Sequence, residues 1–236
     1  MTPPEAPLSA GLIIAVDGTS GSGKSSTCRG VADRLGLAYL DTGAQFRAMT
    51  WWMLEHGVDV HDADAVAARA GEPTLVSGID PLAPTIHVDG TDVGEAIRTQ
   101  RVTDAVSPVS TVPAVRSRLL DLQRAIIAEA ITGPGIVVEG RDIGSVVAPE
   151  APVKLYLTAD PAARALRRAA ERGEQDAAAI EATRASLLDR DRIDSGRATA
   201  PLTMAEGAVH LDTTPYSLEE VIGRVVAIAE AVGAEA

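Results

Sequence analysis

Five short apolar runs recur along the chain and give way to polar residues: Leu12-Ile13-Ile14-Ala15-Val16, Leu37-Ala38-Tyr39-Leu40, Ile136-Val137-Val138-Glu139, Val153-Lys154-Leu155-Tyr156-Leu157 and Val209-His210-Leu211-Asp212. Their length predicts strands, and their near-continuous apolarity predicts strands covered on both faces. Helical patterns lie between them, at about 24–35 closed by Gly36, about 44–56, about 59–70, and about 102–130 with breaks near Pro108 and Pro113. Asp160-Pro161 reads as an N-cap with proline in the first turn, and a charged helix follows at about 177–194. Ser217-Leu218-Glu219-Glu220 is a capping box for a closing helix. Strands alternating with helices predict an α/β fold of three layers around a central parallel five-stranded sheet. Ligands of such sheets sit beyond the carboxyl ends of the strands, here Asp17-Gly18, Asp41-Thr42 and Glu139-Gly140-Arg141-Asp142.

One stretch breaks the alternation. Pro73 to Gly78 and Pro84 to Gly90 read as strands joined by turns, with Asp89-Gly90 a hairpin signal, so a small β-rich lobe is expected as an insert at about 72–97. His87 within it is expected beside a strand neighbour, since no other metal-ligand type lies at useful spacing. Residues 1–10 read as a disordered tail before a single domain of residues 11–236.

The first apolar run feeds Gly18-Thr19-Ser20-Gly21-Ser22-Gly23-Lys24-Ser25, which opens the next helix. This is the spacing G-x-x-x-x-G-K-[ST] in the strand-to-helix context that a P-loop requires. The glycines let backbone N–H groups wrap a phosphate, Lys24 adds a mobile positive charge, and Ser25 offers a hydroxyl to Mg²⁺. Glu139 ends a buried strand, where P-loop proteins keep the carboxylate that helps place Mg²⁺ through water.

Composition narrows the partners. The formal net charge of −12 repels polyanions and argues against nucleic acid or an anionic membrane as a partner. Lysine occurs only at Lys24 and Lys154, so the remaining basic residues are arginines. The single cysteine, Cys28, excludes an internal disulfide and a cysteine metal cluster and is expected to face the core. With no apolar run of membrane length and no basic leader, a cytoplasmic protein is expected; a monomer is expected as well.

A triphosphate loop alone fits a switch, a motor or a small-molecule kinase. The arginines favour the kinase. Arg47 lies one turn into the second helix, Arg141 follows the third strand of the sheet, and Arg190, Asp194 and Arg197 share one helix face by their spacing. Guanidiniums converging near a P-loop suit a second, phosphate-bearing substrate. The helix that Asp160 caps carries Arg164, Arg167, Arg168 and Arg172.

At these residues the chain resembles bacterial cytidylate kinases, among the nucleoside monophosphate kinases. The shared segments are Gly18–Ser25, Asp41-Thr42-Gly43-Ala44-Gln45-Phe46-Arg47, Glu95-Ala96-Ile97-Arg98-Thr99-Gln100, Val112-Pro113-Ala114-Val115-Arg116, Glu139-Gly140-Arg141-Asp142-Ile143-Gly144, Ala151-Pro152-Val153-Lys154 and Arg190–Arg197. They run in family order over nearly the whole chain. The resemblance implies transfer of the γ-phosphoryl group of ATP to CMP or dCMP, with Mg²⁺. It also implies a P-loop three-layer fold, an NMP-binding insert and a short helical lid at about 160–190. ATP would be held by Gly18, Thr19, Ser20, Gly21, Ser22, Gly23, Lys24, Ser25 and Ser26, with Arg164 and Arg168 from the lid. CMP would be held by Thr42, Arg47, Ser107, Arg116, Arg141, Asp142, Arg190, Asp194 and Arg197. Lys24, Arg141 and Arg197 would act on the transferred group.

In this scheme Asp142 and Ser107 accept from the cytosine amine and Arg116 donates to the ring acceptors, a pattern that uracil reverses. A shift of three residues in the proline-rich stretch would put Ser110 in place of Ser107. The chain departs from the family's common pattern at Thr19, where proline is usual, and at Glu139, where aspartate is frequent. UMP or another small phosphorylated acceptor is the alternative substrate, and a nucleotide switch the alternative class.

Overall fold

The structure is a computed structural model that describes residues 11–173, 176–197 and 199–235. The tail at 1–10 and the side chain of Arg172 lie outside the described residues. Five strands form the central sheet, β1 (Leu12–Gly18), β2 (Ala38–Asp41), β6 (Gly135–Glu139), β7 (Val153–Thr158) and β8 (Val209–Asp212). Their order is β2-β6-β1-β7-β8, and every neighbouring pair is parallel. Two-sided burial explains the apolar runs of β1 and β6, whereas β7 alternates buried with half-buried residues and β8, at the sheet edge, is largely exposed, against the expectation for those runs. Leu12, Ile14 and Val16 of β1 point into one cluster with Val137, Leu155 and Leu157, while Ala15 joins Ile136, Val138 and Leu40 on the other face. The first cluster is covered by α1 (Lys24–Leu35) and α8 (Leu218–Glu235), and includes Cys28. The second lies under α5 (Pro113–Ala130), which contributes Ile127. Ile14 is fully buried, so truncation to alanine would cost about 3 kcal/mol.

Local signals act where the sequence placed them. Gly36 ends α1 in the left-handed region, the Asp160 side chain caps α6 (Pro161–Arg172), and Ser217 and Glu220 exchange the two bonds of a capping box. Asp41 caps α2 (Thr42–Glu55), which therefore begins two residues earlier than the pattern suggested. Pro108 does not break its helix: α4 (Gln100–Thr111) runs through it, and the break falls only at Pro113, the first residue of α5. A proline in mid-helix forfeits one bond, and seven residues of α4 are buried by its packing.

The insert is a three-stranded antiparallel sheet of β3 (Leu75–Ser77), β4 (Ile86–Val88) and β5 (Thr91–Asp92), one strand more than the apolar pattern shows. Asp89 and Gly90, both at positive φ, form the tight turn between β4 and β5. His87 sits in register between Val76 and Asp92. This sheet is not self-sufficient. Leu75, Ile86 and Val88 share one hydrophobic cluster with Met49, Trp52 and Met53 of α2, Val66 of α3 (Ala63–Arg69), Val109 of α4 and Leu119 of α5. The remaining helix, α7 (Ala177–Gly196), packs against α6 to form the element expected as a lid.

Candidate active site

The strand order reverses at β1, which lies between β6 and β7, and a crevice opens beyond the carboxyl ends there. The P-loop fills its floor. Gly18, at φ 145°, must be glycine, because a Cβ would stand 1.9 Å from the carbonyl oxygen of Leu157. Several loop carbonyls are taken by partners: Lys24 Nζ donates to Gly18 O (2.8 Å) and Thr19 O (2.7 Å), Arg164 to Ser20 O (2.8 Å), and the Thr213 hydroxyl to Ser22 O (3.0 Å). The first-turn N–H groups of α1 have no partner within the helix, so the loop end of α1 is suited to an anion.

Above the loop lies a cleft of about 190 Å³ lined by Ser20, Gly21, Gly23, Lys24, Ser25, Ser26, Glu139, Arg167 and Arg168. A second, smaller cavity of about 80 Å³ is lined by Thr42, Phe46, Arg47, Ser107, Ser110, Arg116, Arg141, Asp142, Arg190, Asp194 and Arg197. The two meet. Gly43, Arg47, Gly140, Arg141 and Arg190 line both.

Charge is concentrated here and incompletely compensated. Burial, followed by Arg190 and Arg168, lowers the Arg47 pKa to about 9, and burial followed by Arg141 lowers that of Arg190 to about 10. The Nε groups of Arg190 and Arg197 have no hydrogen-bond partner among the described residues. Arg141 bridges the cavities, donating through Nε to Asp194 (3.1 Å) and through Nη2 to the Ser20 hydroxyl (2.7 Å). Buried Arg116 pairs with Asp142, donates to Ser110 O at 3.1 Å and lies 5.3 Å over the Phe46 ring. Burial raises the Asp142 pKa against the pull of Arg116.

Carboxylates shape the floor. Asp17 accepts the N–H groups of Ile143 (2.7 Å) and Gly144 (2.8 Å), fixing the loop that carries Arg141 and Asp142. Burial raises its pKa to about 6. Glu139 accepts from the Tyr39 hydroxyl, and Thr42 donates to the Glu139 carbonyl at 2.7 Å. Burial and then Asp41 push the Glu139 pKa up, while burial and then Arg141 push that of Lys24 down.

A family model for cytidylate kinases matches residues 14–231. The chain belongs to the cytidylate kinase family. Curated relatives named cytidylate kinase include one from Streptomyces avermitilis, 55% identical over 219 residues and 93% of each chain. Others are from Streptomyces coelicolor, 56% identical over 225 residues and 95% of each chain, and from Mycobacterium avium, 45% identical over 91% of this chain and 93% of that one. A crystal structure of an uncharacterized protein from Eubacterium ventriosum, 10% identical with a TM-score of 0.50 over 93% of this chain and 98% of that one, shares the fold alone.

Within this family member, every residue expected to hold CMP lines the smaller cavity, and Ser107 and Ser110 both do, one turn apart on α4. Of those expected to hold ATP, Ser20, Gly21, Gly23, Lys24, Ser25, Ser26 and Arg168 line the larger cleft. Gly18, Thr19 and Ser22 do not line it. Arg164 is buried beneath the loop, paired with Asp191 at 2.5 Å, while Arg167 faces the cleft instead. The three-residue step from 164 to 167 turns the helix about 60° short of a full turn, so the two side chains leave α6 in different directions. Sequence reasoning gave no role to Asp17, Tyr39, Phe46, Asp191 or Thr213. A carboxylate directly before Gly18 was the available signal for Asp17, whereas the others depend on neighbours far away in the chain.

Among the described residues, no helix is long and apolar enough to cross a membrane. No three His, Cys, Asp or Glu side chains among them form a group able to hold a metal by themselves.

Proposed function

We propose that the chain transfers the γ-phosphoryl group of ATP to CMP or dCMP in the cytoplasm, giving ADP and CDP or dCDP. The observation that carries this reading is the junction of a phosphate cradle with a second cavity at Arg47, Arg141 and Arg190. A switch needs one nucleotide site; two sites sharing arginines suit transfer between phosphates.

The triphosphate lies on the loop Gly18–Ser26, with Lys24, Arg167 and Arg168 beside it. Arg47, Arg141 and Arg197 hold the CMP phosphate, with Thr42 nearby, and Asp194 accepts from the ribose hydroxyls with Arg190 in support. The attacking oxygen belongs to a phosphate already ionised near neutral pH, so no general base is required. Lys24, Arg141 and Arg197 offset the charge that spreads over the transferred group, and closing α6 and α7 over it excludes water. Oxygen donors at Ser25 and Glu139 fit a hard cation, which would come with the nucleotide's phosphates. Mg²⁺ held there, through water at Glu139, would neutralise phosphate charge. Asp142, Ser107 or Ser110, and Arg116 read cytosine, with Phe46 beneath Arg116.

The test is ADP release in a coupled assay with and without CMP. Turnover should depend on CMP, fall steeply with UMP, and extend to dCMP; CMP-independent turnover would refute the reading.

A further inference from the structure

The P-loop is gripped by the same helix that serves the acceptor cavity. At Ser20 the N–H donates to Asp191 Oδ1 (2.8 Å), the carbonyl accepts from Arg164 Nη1 (2.8 Å) and the hydroxyl accepts from Arg141 Nη2 (2.7 Å). Asp191 Oδ2 takes the same Arg164 Nη1 at 2.5 Å, which closes a ring around one loop residue. The neighbouring Gly21 sits at φ 75°, a left-handed conformation that glycine adopts without strain. Arg141 then returns the network to α7 through Asp194, three residues beyond Asp191. Three residues of helix span about 4.5 Å of a stiff rod. Asp194 cannot shift with its helix unless Asp191 shifts too.

We propose that Asp191 is a positioning residue that links the two substrate sites. CMP engages Asp194, Arg190 and Arg197 and seats α7; a seated α7 presents Asp191 to the Ser20 N–H and, through it, holds Arg164 of α6 on the Ser20 carbonyl. The entrance of the P-loop is then ordered before ATP arrives, so less ordering remains for ATP to impose. Linkage makes the effect mutual, and ATP tightens CMP by the same factor. The inference rests on the reading that α7 holds CMP.

The test is calorimetric titration of the imido analogue of ATP into the full chain, with and without saturating CMP. In the wild type, CMP should tighten the analogue about fivefold or more. Asp191→Asn keeps an acceptor for the Ser20 N–H but not the charge that holds Arg164, and should cut that factor below about twofold while CMP affinity alone stays within about twofold. Arg192→Ala, at an exposed neighbour paired with Asp189, should keep the wild-type factor. Absence of the effect in the wild type, its survival in Asp191→Asn, or equal weakening of both ligands in that variant overturns the inference. Should Asp191→Ala fail to fold, the near-isosteric Asp191→Asn still decides. Asp194→Ala tests the premise separately. Undiminished CMP affinity there removes the premise, whereas weakened CMP affinity with intact linkage in Asp191→Asn removes only the inference.

Discussion

Truncating Asp142 to alanine separates the stability of the base pocket from its specificity. Asp142 and Arg116 are both buried and paired with each other. Removing one partner of a buried pair costs about 3–5 kcal/mol, because the other charge is stranded. The low end applies here, since Arg116 keeps its bond to Ser110 O and its place over Phe46. For a chain of this size about 3 kcal/mol lowers Tm by roughly 6–12 °C. Burial nevertheless raises the Asp142 pKa above its ordinary value, so attraction to Arg116 does not repay the desolvation of the carboxylate. Replacing both members of a buried pair by apolar groups is often neutral, so Asp142→Ala combined with Arg116→Met should recover most of the lost Tm. Specificity should not recover. Losing a charged acceptor for the cytosine amine costs about 1.5–3 kcal/mol, or roughly 10–150-fold in kcat/KM for CMP. UMP, whose carbonyl no longer faces a carboxylate, should change by less than about threefold, so the CMP:UMP ratio narrows by about tenfold or more. Thermal denaturation and coupled assays on both nucleotides decide the matter. An unchanged CMP:UMP ratio, or a double variant no more stable than Asp142→Ala, would refute the argument.

Arg197→Ala should raise the KM for CMP about 10–100-fold and leave that for ATP within about twofold, and an equal rise in both would remove Arg197 from the acceptor site. Glu139→Gln should abolish most activity yet stabilise the empty protein. The folded carboxyl binds its proton more tightly than the unfolded one near 4.5, so wild-type stability falls as pH rises from there to about 7. The Tm gain of the variant should therefore be absent below pH 4.5 and full above about 7, and a gain that does not grow with pH contradicts it. Gly18→Ala should cost more than about 3 kcal/mol, since a Cβ collides with Leu157 O at 1.9 Å, and a Tm within about 2 °C of the wild type would show the loop can yield.

The sheet was legible because strands buried on both faces carry an apolar code that needs no partner to interpret: Leu12 to Val16 could be read without knowing that Ile136 and Leu155 flank them. The lobe was less so. β5 is two residues long with no apolar side chain, and it is fixed by the turn at Asp89-Gly90 and pairing with β4 rather than by its own pattern. Its reliance on α2, α3, α4 and α5 for a core is a tertiary fact with no local trace. Arg47, Arg141, Arg190 and Arg197 were suggested by position and spacing, whereas Ser107, Arg116 and Asp142 were named through the family resemblance, because they come together from three separate elements. What escaped was the support beneath them. Asp191 resembles any residue of a charged helix, and Arg164 resembles Arg167, until the Ser20 peptide is placed between them.

A chain of net charge −12 binding two anionic substrates requires its positive charge to be local and held apart from its acids. That is how the cleft is built. Burial and then Arg190 lower the Arg47 pKa, burial and then Arg141 lower that of Arg190, and the buried Nε groups of Arg190 and Arg197 have no partner among the described residues. Asp194 restrains Arg141 at 3.1 Å and Arg197 at 3.5 Å, separations too long for the strongest charge-assisted bonds. The arginines of the cleft are thus incompletely compensated by protein groups, and a phosphate entering at the junction relieves repulsion among them as well as forming new bonds. Salt should oppose this binding less than an exposed cluster of equal charge would suggest, because buried charges are weakly screened. Binding energy drawn from relief of repulsion is greatest where phosphate charge is greatest, which places the strongest stabilisation at the meeting point of the two cavities, where the group must be transferred.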